Sequence, residues 1–427
     1  MNLTRRYFLK TSGALALYCG VAPARVLAEA GWDQSRAKPV AAGKTLVVIF
    51  LRGGMDGLNL VVPFGDPAYY DLRKRLAIGA PGTEEGSLEL TDMFGLHPRA
   101  GALLPFLQSG QATALQAVGY AHNTRSHFEE QDVWETGVIG NTVNSDGWLN
   151  RHLLTSEGRG PVRAVSLGDT LPRILRGQAP AVAMRGLEDL SLPATNPEEE
   201  AAMTAALEYA YCTEPGPERA AAMDLLAQSA QTTLEGTRQL REIIRTPYES
   251  AVSYPNHSLG RQMREAARLI KANLGVEVIE VDFGGWDTHQ NQGSVQGGFG
   301  NLVQTLSESL AAFARDLEGR MDDVLVLTLS DFGRTAAENG TGGTDHGWAN
   351  CMLLLGGPVL RANGGASRPV VGRWPGLAKE QLHQKRDLLH TTDFRDVLGE
   401  VVSVHLGNEQ VKTVLPGHEF QRVGVVA

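Results

Sequence analysis

Runs of consecutive apolar residues, each of strand length, alternate along the chain with stretches of helical periodicity. The stretch from Leu302 to Leu317 has this helical periodicity and separates two of the runs. Continuous apolar runs rich in β-branched residues are typical of parallel strands buried on both faces. The runs are TLVVIFL (45–51), ATALQAV (112–118), VIEV from residue 278, VLVLTLS from residue 324 and CMLLLGG from residue 351. We therefore predict an α/β fold with a central, mostly parallel sheet.

The region of about residues 190–275 is rich in Ala, Glu, Leu, Gln and Arg and poor in β-branched residues. Such a composition favours helices, and proline-containing breaks divide the region into three of them. The predicted helices span about residues 197–211, 217–244 and 258–273. We interpret them as a helical insertion that either packs on the sheet or acts as a lid. A last helix is predicted near the C-terminus, with Thr392 or Asp393 as its N-cap.

The N-terminus carries the pattern of a twin-arginine export signal. Residues 4–10 read TRRYFLK, an apolar run follows, and Ala-Glu-Ala at 28–30 fits a small-x-small cleavage site. Arg25 interrupts the apolar run well short of the ~20 residues that span a membrane, so we predict no stable membrane anchor. We expect residues 1–30 to engage the bacterial twin-arginine export machinery, which delivers folded cargo to the periplasm or the medium. Residues 31–44 are predicted to be a linker to one domain at 45–427.

Charge and cysteine content exclude several classes of protein. The formal net charge is −9, and removal of the signal takes away more basic than acidic residues. Such acidity argues against nucleic acid or an anionic membrane surface as a partner. Only Cys212 and Cys351 lie beyond the signal, which is too few for a disulfide framework. Cys351 opens an apolar run, and we expect it to be buried.

Acidic residues and histidines cluster in the loops that follow the predicted strands after residue 278. The cluster comprises Asp282, Asp287, His289, Asp331, Asp345 and His346. Loops at the carboxyl ends of parallel strands meet at one edge of the sheet, so we expect these side chains to be neighbours. Carboxylate and imidazole together suit a divalent metal such as zinc or manganese. The alternative is that these aspartates only form turns and helix caps.

The first predicted strand ends in the glycine-rich loop RGGMDGLN, residues 52–59. Its glycines permit a tight turn and bring Asp56 to the same edge as the later acidic loops. There is no G-x-G-x-x-G pattern, so we reject a dinucleotide site. Asp56 is therefore either a site residue or the turn former of an Asp-Gly pair.

The strand at 112–118 is followed by GYAHNTRSHF and a predicted helix that contains EEQDVWETG. Thr124 or Ser126 falls at the start of this helix, where the helix dipole favours a phosphate or sulfate group. Arg125 and His127 add donors for such an anion. Ser126 and Glu129 also form a capping-box pattern, so capping and catalysis both remain open for the serine.

Five motifs, LRGGMDGLN, NTRSHFEEQDVWETG, GGWDTHQN, LSDFGRT and TDHGW, together with the export signal, give the chain its resemblance to a known family. It resembles the domain-of-unknown-function 1501 family of exported bacterial proteins. That family is similar to a branch of the alkaline phosphatase and sulfatase superfamily. The resemblance implies an α/β/α sandwich with a Ser or Thr nucleophile beside one or two metal ions, and with a polymer or small-molecule ester as substrate.

The resemblance also implies roles for individual residues. Asp287, His289 and His346 match a first metal site. Asp331 and Asp56 match a second one, with Asp282 as an extra carboxylate. The nucleophile is Ser126 or Thr124, and we favour Ser126 because of its capping pattern.

Three departures from the superfamily pattern concern the metal sites. Phe332 follows Asp331 where a His or Asn is usual, two glycines precede Asp56, and one residue separates Asp287 from His289. They leave open one ion, two ions or none, with calcium and magnesium as alternatives to zinc and manganese. We expect a hydrolase or transferase for phosphate or sulfate esters; the alternative is a non-catalytic exported binding or assembly protein with a degenerate metal site.

Overall fold

The structure is a computed structural model and describes residues 43–140, 145–158, 162–187, 196, 198–199, 202 and 248–427. The predicted export signal, most of the linker, the second predicted insertion helix and all but residues 198–199 and 202 of the first lie outside these residues.

A central sheet with a mostly parallel strand arrangement organises the described residues. The strands are β1 (Thr45–Leu51), β2 (Val61–Val62), β3 (Leu88–Glu89), β4 (Gly95–Leu96), β5 (Ala112–Gly119), β6 (Ala164–Ser166), β7 (Val182–Ala183), β8 (Val278–Phe283), β9 (Val324–Ser330), β10 (Asn350–Gly356), β11 (Val370–Val371) and β12 (Thr392–Asp393). The order is β11-β5-β10-β9-β1-β8-β6-β7, with β12 beside β5. Only β10 runs antiparallel to its neighbours, β5 and β9. Strands β2, β4 and β3 form a small separate antiparallel sheet.

Ten α-helices lie between these strands in the described ranges. They are α1 (Gly57–Leu60), α2 (Pro67–Leu72), α3 (Leu104–Ser109), α4 (His127–Thr136), α5 (Trp148–Thr155), α6 (Ser258–Lys271), α7 (Gly298–Leu317), α8 (Gly357–Ala362), α9 (Phe394–Glu400) and α10 (Val411–Val414). Short 3₁₀ turns occur at Pro98–Leu103, Arg173–Leu175 and Glu318–Asp323, and a π-helical turn, Val401–His405, extends α9. No helix in the described ranges is both long and apolar enough to span a bilayer.

Helices cover both faces of the sheet. Alternate residues of β1 point to opposite faces, as strand geometry requires. Val47 and Ile49 belong to a core cluster that includes residues of α6 and α7. Leu46 and Val48 belong to a second cluster that includes residues of α4, α5 and α9. Because both faces are buried, β1 needs the continuous apolar run that its sequence has.

The third predicted insertion helix is confirmed as α6, and it is part of a main helical layer. Leu259 and Met263 of α6 are fully buried in the core cluster shared with α7 and β8. The predicted N-cap Asp393 is also confirmed, since its side chain accepts a hydrogen bond from the backbone N–H of Arg395. Cys351 is buried, as predicted.

The topology brings several loops to one edge of the sheet. Strands β9, β1 and β8 are adjacent and parallel, so their carboxyl ends lie side by side. Strand β5 runs in the same direction, because β10 is antiparallel to both β5 and β9. The loop that precedes β10 therefore enters from this edge too, and the predicted convergence of acidic and histidine loops is confirmed.

Candidate metal centre

Four side chains, which we call the metal-site cluster, converge at this edge: His127, Asp287, His289 and His346. His127 begins α4 after β5, Asp287 and His289 follow β8, and His346 precedes β10. The loop after β1 passes beneath them. Gly53 in this loop has φ +117°, and a Cβ there would lie 2.5 Å from the backbone nitrogen of Asp287. Only glycine permits this approach.

The distances within the metal-site cluster suit a single ion. Asp287 Oδ1 lies 3.0 Å from His289 Nε2 and 3.3 Å from His346 Nε2. The two Nε2 atoms are 2.9 Å apart. His127 Nε2 lies 3.5 Å from the same Asp287 oxygen. Tetrahedral ligands bonded at ~2.0–2.1 Å are separated from one another by ~3.3 Å. The predicted closeness of Asp287, His289 and His346 is confirmed.

The other ring nitrogen of each histidine faces an oxygen that can only accept a hydrogen bond. His346 Nδ1 is 2.8 Å from the carbonyl oxygen of Arg125, and His289 Nδ1 is 3.0 Å from Asp345. His127 Nδ1 contacts the carboxylate of Asp331. Assigned from these partners, each Nδ1 carries the hydrogen. In the neutral ring, each Nε2 is therefore a free lone pair directed at the metal-site cluster.

Lone pairs brought this close repel one another unless a proton or a cation lies between them. His127 Nε2 is buried and makes no hydrogen bond to any described residue. Histidine ligands of a metal have the same arrangement, with the second ring nitrogen donating to a carboxylate or a carbonyl. Nitrogen-rich sets with one carboxylate suit zinc better than calcium, magnesium or manganese, which prefer oxygen. The residues present therefore fit a divalent ion, and zinc fits best.

Arg334 fixes the carboxylate of Asp287. Its Nη2 lies 2.8 Å from Asp287 Oδ1, and its other N–H groups donate to backbone carbonyls of the surrounding loops. Burial alone raises the pKa of Asp287, but the hydrogen bond and charge of Arg334 outweigh it and hold this pKa below its ordinary value. Asp287 is consequently an ionised carboxylate with a fixed orientation at neutral pH.

The residues predicted to form a second metal site do not come together. Asp56 is buried, with Oδ2 2.6 Å from Arg73 Nη1. Asp282 pairs with Arg52 at 2.6 Å. Asp331 is buried and accepts from His127, from the Gly53 N–H at 3.2 Å and from Gln131. In the described part of the chain, the ligand atoms of His127, Asp287 and His346 lie within 4.8 Å of one another, and none of Asp56, Asp282 and Asp331 belongs to this group. The prediction for Asp56, Asp282 and Asp331 is thus corrected, because each pairs with a different partner: Arg73, Arg52 and His127 respectively.

The capping box predicted for Ser126 is also wrong. Ser126 holds the N-cap position of α4, but its side chain makes no capping hydrogen bond. Glu129 is exposed, while the neighbouring Glu130 is buried and accepts from the backbone N–H and the hydroxyl of Thr124 at 2.7 and 3.0 Å. Thr124 is therefore the anchored hydroxyl, whereas the hydroxyl of Ser126, half-buried next to His127, makes no hydrogen bond to any residue that the structure describes.

Arg125 is held by protein groups. Its Nη2 lies 2.6 Å from Asp387 Oδ2, and its guanidinium stacks 5.2 Å from the ring centroid of Trp348. Asp345 lies at this edge, as predicted, and contacts His289 Nδ1. Arg334 and Asp387 were not predicted as partners of the site. His127 was predicted to bind an anion, although its place in the connection between β5 and α4 was a usable signal that it joins the other loops of this edge.

The family described as "Protein of unknown function (DUF1501)" matches residues 97–414, about three quarters of the 427-residue chain. The matched range contains all four residues of the metal-site cluster. A search among curated proteins finds no match.

Proposed function

Since the chain belongs to the family described as protein of unknown function DUF1501, and that description gives no activity, we propose its function from the site alone. The chain binds one divalent ion, zinc in preference to manganese, at the metal-site cluster. With that ion it hydrolyses or transfers phosphate or sulfate esters. We propose that it does so in the periplasm or outside the cell, after export by the twin-arginine machinery.

One observation carries the proposal: three imidazole Nε2 atoms, each with Nδ1 committed to an acceptor, face the oxygen of one carboxylate. With all three rings neutral, each inward Nε2 carries a lone pair, and a proton or a cation between these atoms is needed to relieve their repulsion. The cluster is also open to solvent, with 47 % of the Asp287 side chain exposed. An ester group can therefore reach it from outside.

The bound ion would supply Lewis-acid stabilisation of the negative charge that develops on the ester oxygens. Ser126 is the proposed nucleophile, because it adjoins His127, lies at the N-terminus of α4 and has a hydroxyl that makes no capping hydrogen bond. Its Oγ forms the bond to phosphorus or sulfur, and the alcohol leaves with the proton that Ser126 loses. Water then releases phosphate or sulfate and restores the serine. The positive end of the α4 dipole favours the anionic group throughout.

The test is hydrolysis of aryl phosphate and aryl sulfate esters by the purified mature chain, before and after chelation. We expect activity that chelation abolishes and stoichiometric zinc restores, and that Asp287→Asn loses. Asp316→Asn is a matched control. Asp316 is likewise a carboxylate held by a cation, Lys271, and by Tyr248 and Tyr254, all of which lie outside the metal-site cluster; unlike Asp287, it is fully buried. Hydrolysis that persists without metal would refute the proposal.

A second candidate is a non-catalytic exported binding or assembly protein. The observation that favours it is the engagement of Asp56, Asp282 and Asp331 by other partners, which leaves no second ion site among them. Zinc binding without hydrolysis of any tested ester would support this candidate.

A further inference from the structure

Asp387 is a buried carboxylate that stands behind the metal-site cluster. Its side chain is fully buried, and Oδ2 accepts from two arginines. Arg125 contributes Nη2 at 2.6 Å and Nε at 3.0 Å, and Arg386 contributes Nη1 at 3.3 Å. A buried anion shared by two cations is expensive to desolvate and strongly destabilising to break.

Both arginines also form a hydrogen bond with His346. The carbonyl oxygen of Arg125 accepts the hydrogen bond from His346 Nδ1 at 2.8 Å. Arg386 Nη2 donates to the backbone carbonyl of His346 at 2.9 Å. One contact fixes the ring of His346 and the other fixes its backbone. Asp387 connects the two without touching His346.

The backbone of Arg125 gives this connection its physical importance. Arg125 has φ +61°, in the left-handed region that is unfavourable for a non-glycine residue. Such a conformation persists only where the surroundings hold it. The holding groups are Asp387 and Gln384 on the side chain and Asn123, whose Oδ1 accepts from the Arg125 N–H at 2.7 Å.

We propose that Asp387 is a positioning residue for His346. By anchoring Arg125 in its left-handed conformation, it aims the Arg125 carbonyl at His346 Nδ1 and keeps the hydrogen on that nitrogen. His346 Nε2 then stays free as a lone pair directed at the metal-site cluster. The consequence for metal affinity rests on the proposed function, whereas the consequence for the histidine tautomer does not.

The test compares Asp387→Asn with wild type and with Asp316→Asn. The imidazole nitrogens of ¹⁵N-histidine-labelled, metal-free protein report which nitrogen carries the hydrogen. The signal of His346 is assigned by its loss in His346→Gln. We expect His346 to be protonated on Nδ1 in wild type and in Asp316→Asn. In Asp387→Asn we expect a shift towards the Nε2–H form, with zinc affinity reduced about 10- to 100-fold.

An unchanged His346 tautomer in a folded Asp387→Asn variant overturns the proposal. Failure of the proposed function gives a different result. In that case wild type binds no zinc, while the tautomer of His346 still responds to Asp387→Asn.

If Asp387→Asn does not fold, Arg125→Ala and Arg125→Gly replace it. Both remove the side-chain anchor, but glycine adopts the left-handed backbone freely. The glycine variant should then retain more of the Nδ1–H form than the alanine variant, and equal loss in both overturns the proposal.

Discussion

Replacing Asp331 by asparagine removes the charge that orients His127 while keeping nearly the same volume. Asp331 is fully buried, and its carboxylate accepts from His127 Nδ1, from the Gly53 N–H and from Gln131 Nε2. An asparagine has one acceptor oxygen and an amide that can only donate. The single oxygen of the asparagine can still accept from His127 Nδ1, but its NH₂ group then faces the Gly53 N–H or Gln131 Nε2, which are also donors. In either orientation the asparagine provides no negative charge.

The size of the effect follows from these contacts. Loss of an outer partner of a ligating histidine costs about 10- to 100-fold in metal affinity, or about 1.4–2.7 kcal/mol. The mismatched buried amide costs a further amount in folding free energy, about 1–3 kcal/mol. The hydrogen bond to Asp331 is also what chiefly raises the pKa of His127, so this pKa should fall in the variant.

Competition with a chromophoric zinc chelator at pH 7 measures the affinity, and urea unfolding of the metal-free protein measures the stability. Asp316→Asn is the control, because Asp316 is likewise fully buried and also accepts from three donors. We expect both variants to lose stability and only Asp331→Asn to lose affinity. Because the expected loss is about 10- to 100-fold, a zinc affinity of Asp331→Asn within a factor of about two of wild type would refute the role assigned to Asp331.

The remaining predictions concern catalysis, export and acid stability. Ser126→Ala should abolish ester hydrolysis and leave zinc content unchanged; full activity in Ser126→Ala with loss in Thr124→Ala identifies the other hydroxyl as the nucleophile. Replacing Arg5 and Arg6 together by lysine should retain the precursor in the cytoplasm, as fractionation would show, because a receptor reads the pair; normal export contradicts the signal. Burial lowers the pKa of His405 to about 4, so the unfolded chain binds the proton more tightly and stability falls as pH falls from ~6.5 towards 4. His405→Gln should therefore weaken the pH dependence of the free energy of unfolding measured with urea. An unchanged pH dependence would contradict the assignment of this effect to His405.

Periodicity predicted the parts of the fold that are decided locally. A continuous apolar run is enough to identify β1 or β9, because a strand covered on both faces has no polar side. The antiparallel direction of β10 could not be predicted, since direction depends on the strands paired with it. Nor could β12, whose two residues Thr392 and Asp393 are a strand only because they pair with β5.

The candidate site was predictable where residues come from neighbouring loops of one edge, as with Asp287, His289 and His346. It was not predictable where the partner lies far along the chain or on another element. Nothing near Asp56 in the sequence indicates that its charge is matched by Arg73, and only the fold brings Asp331 to His127. The motifs therefore predicted correctly that Asp287, His289 and His346 are neighbours, whereas the predicted grouping of Asp56, Asp282 and Asp331 was wrong.

Zinc stoichiometry combined with X-ray absorption tests the claim that one ion binds at the metal-site cluster. We expect about one zinc ion per folded chain, surrounded by nitrogen and oxygen ligands at ~2.0–2.1 Å with an imidazole signature and no sulfur. His346→Ala should lower the occupancy, and Asp316→Asn should not. A folded wild-type chain that retains no zinc, or a His346→Ala variant with the wild-type spectrum, would contradict the claim.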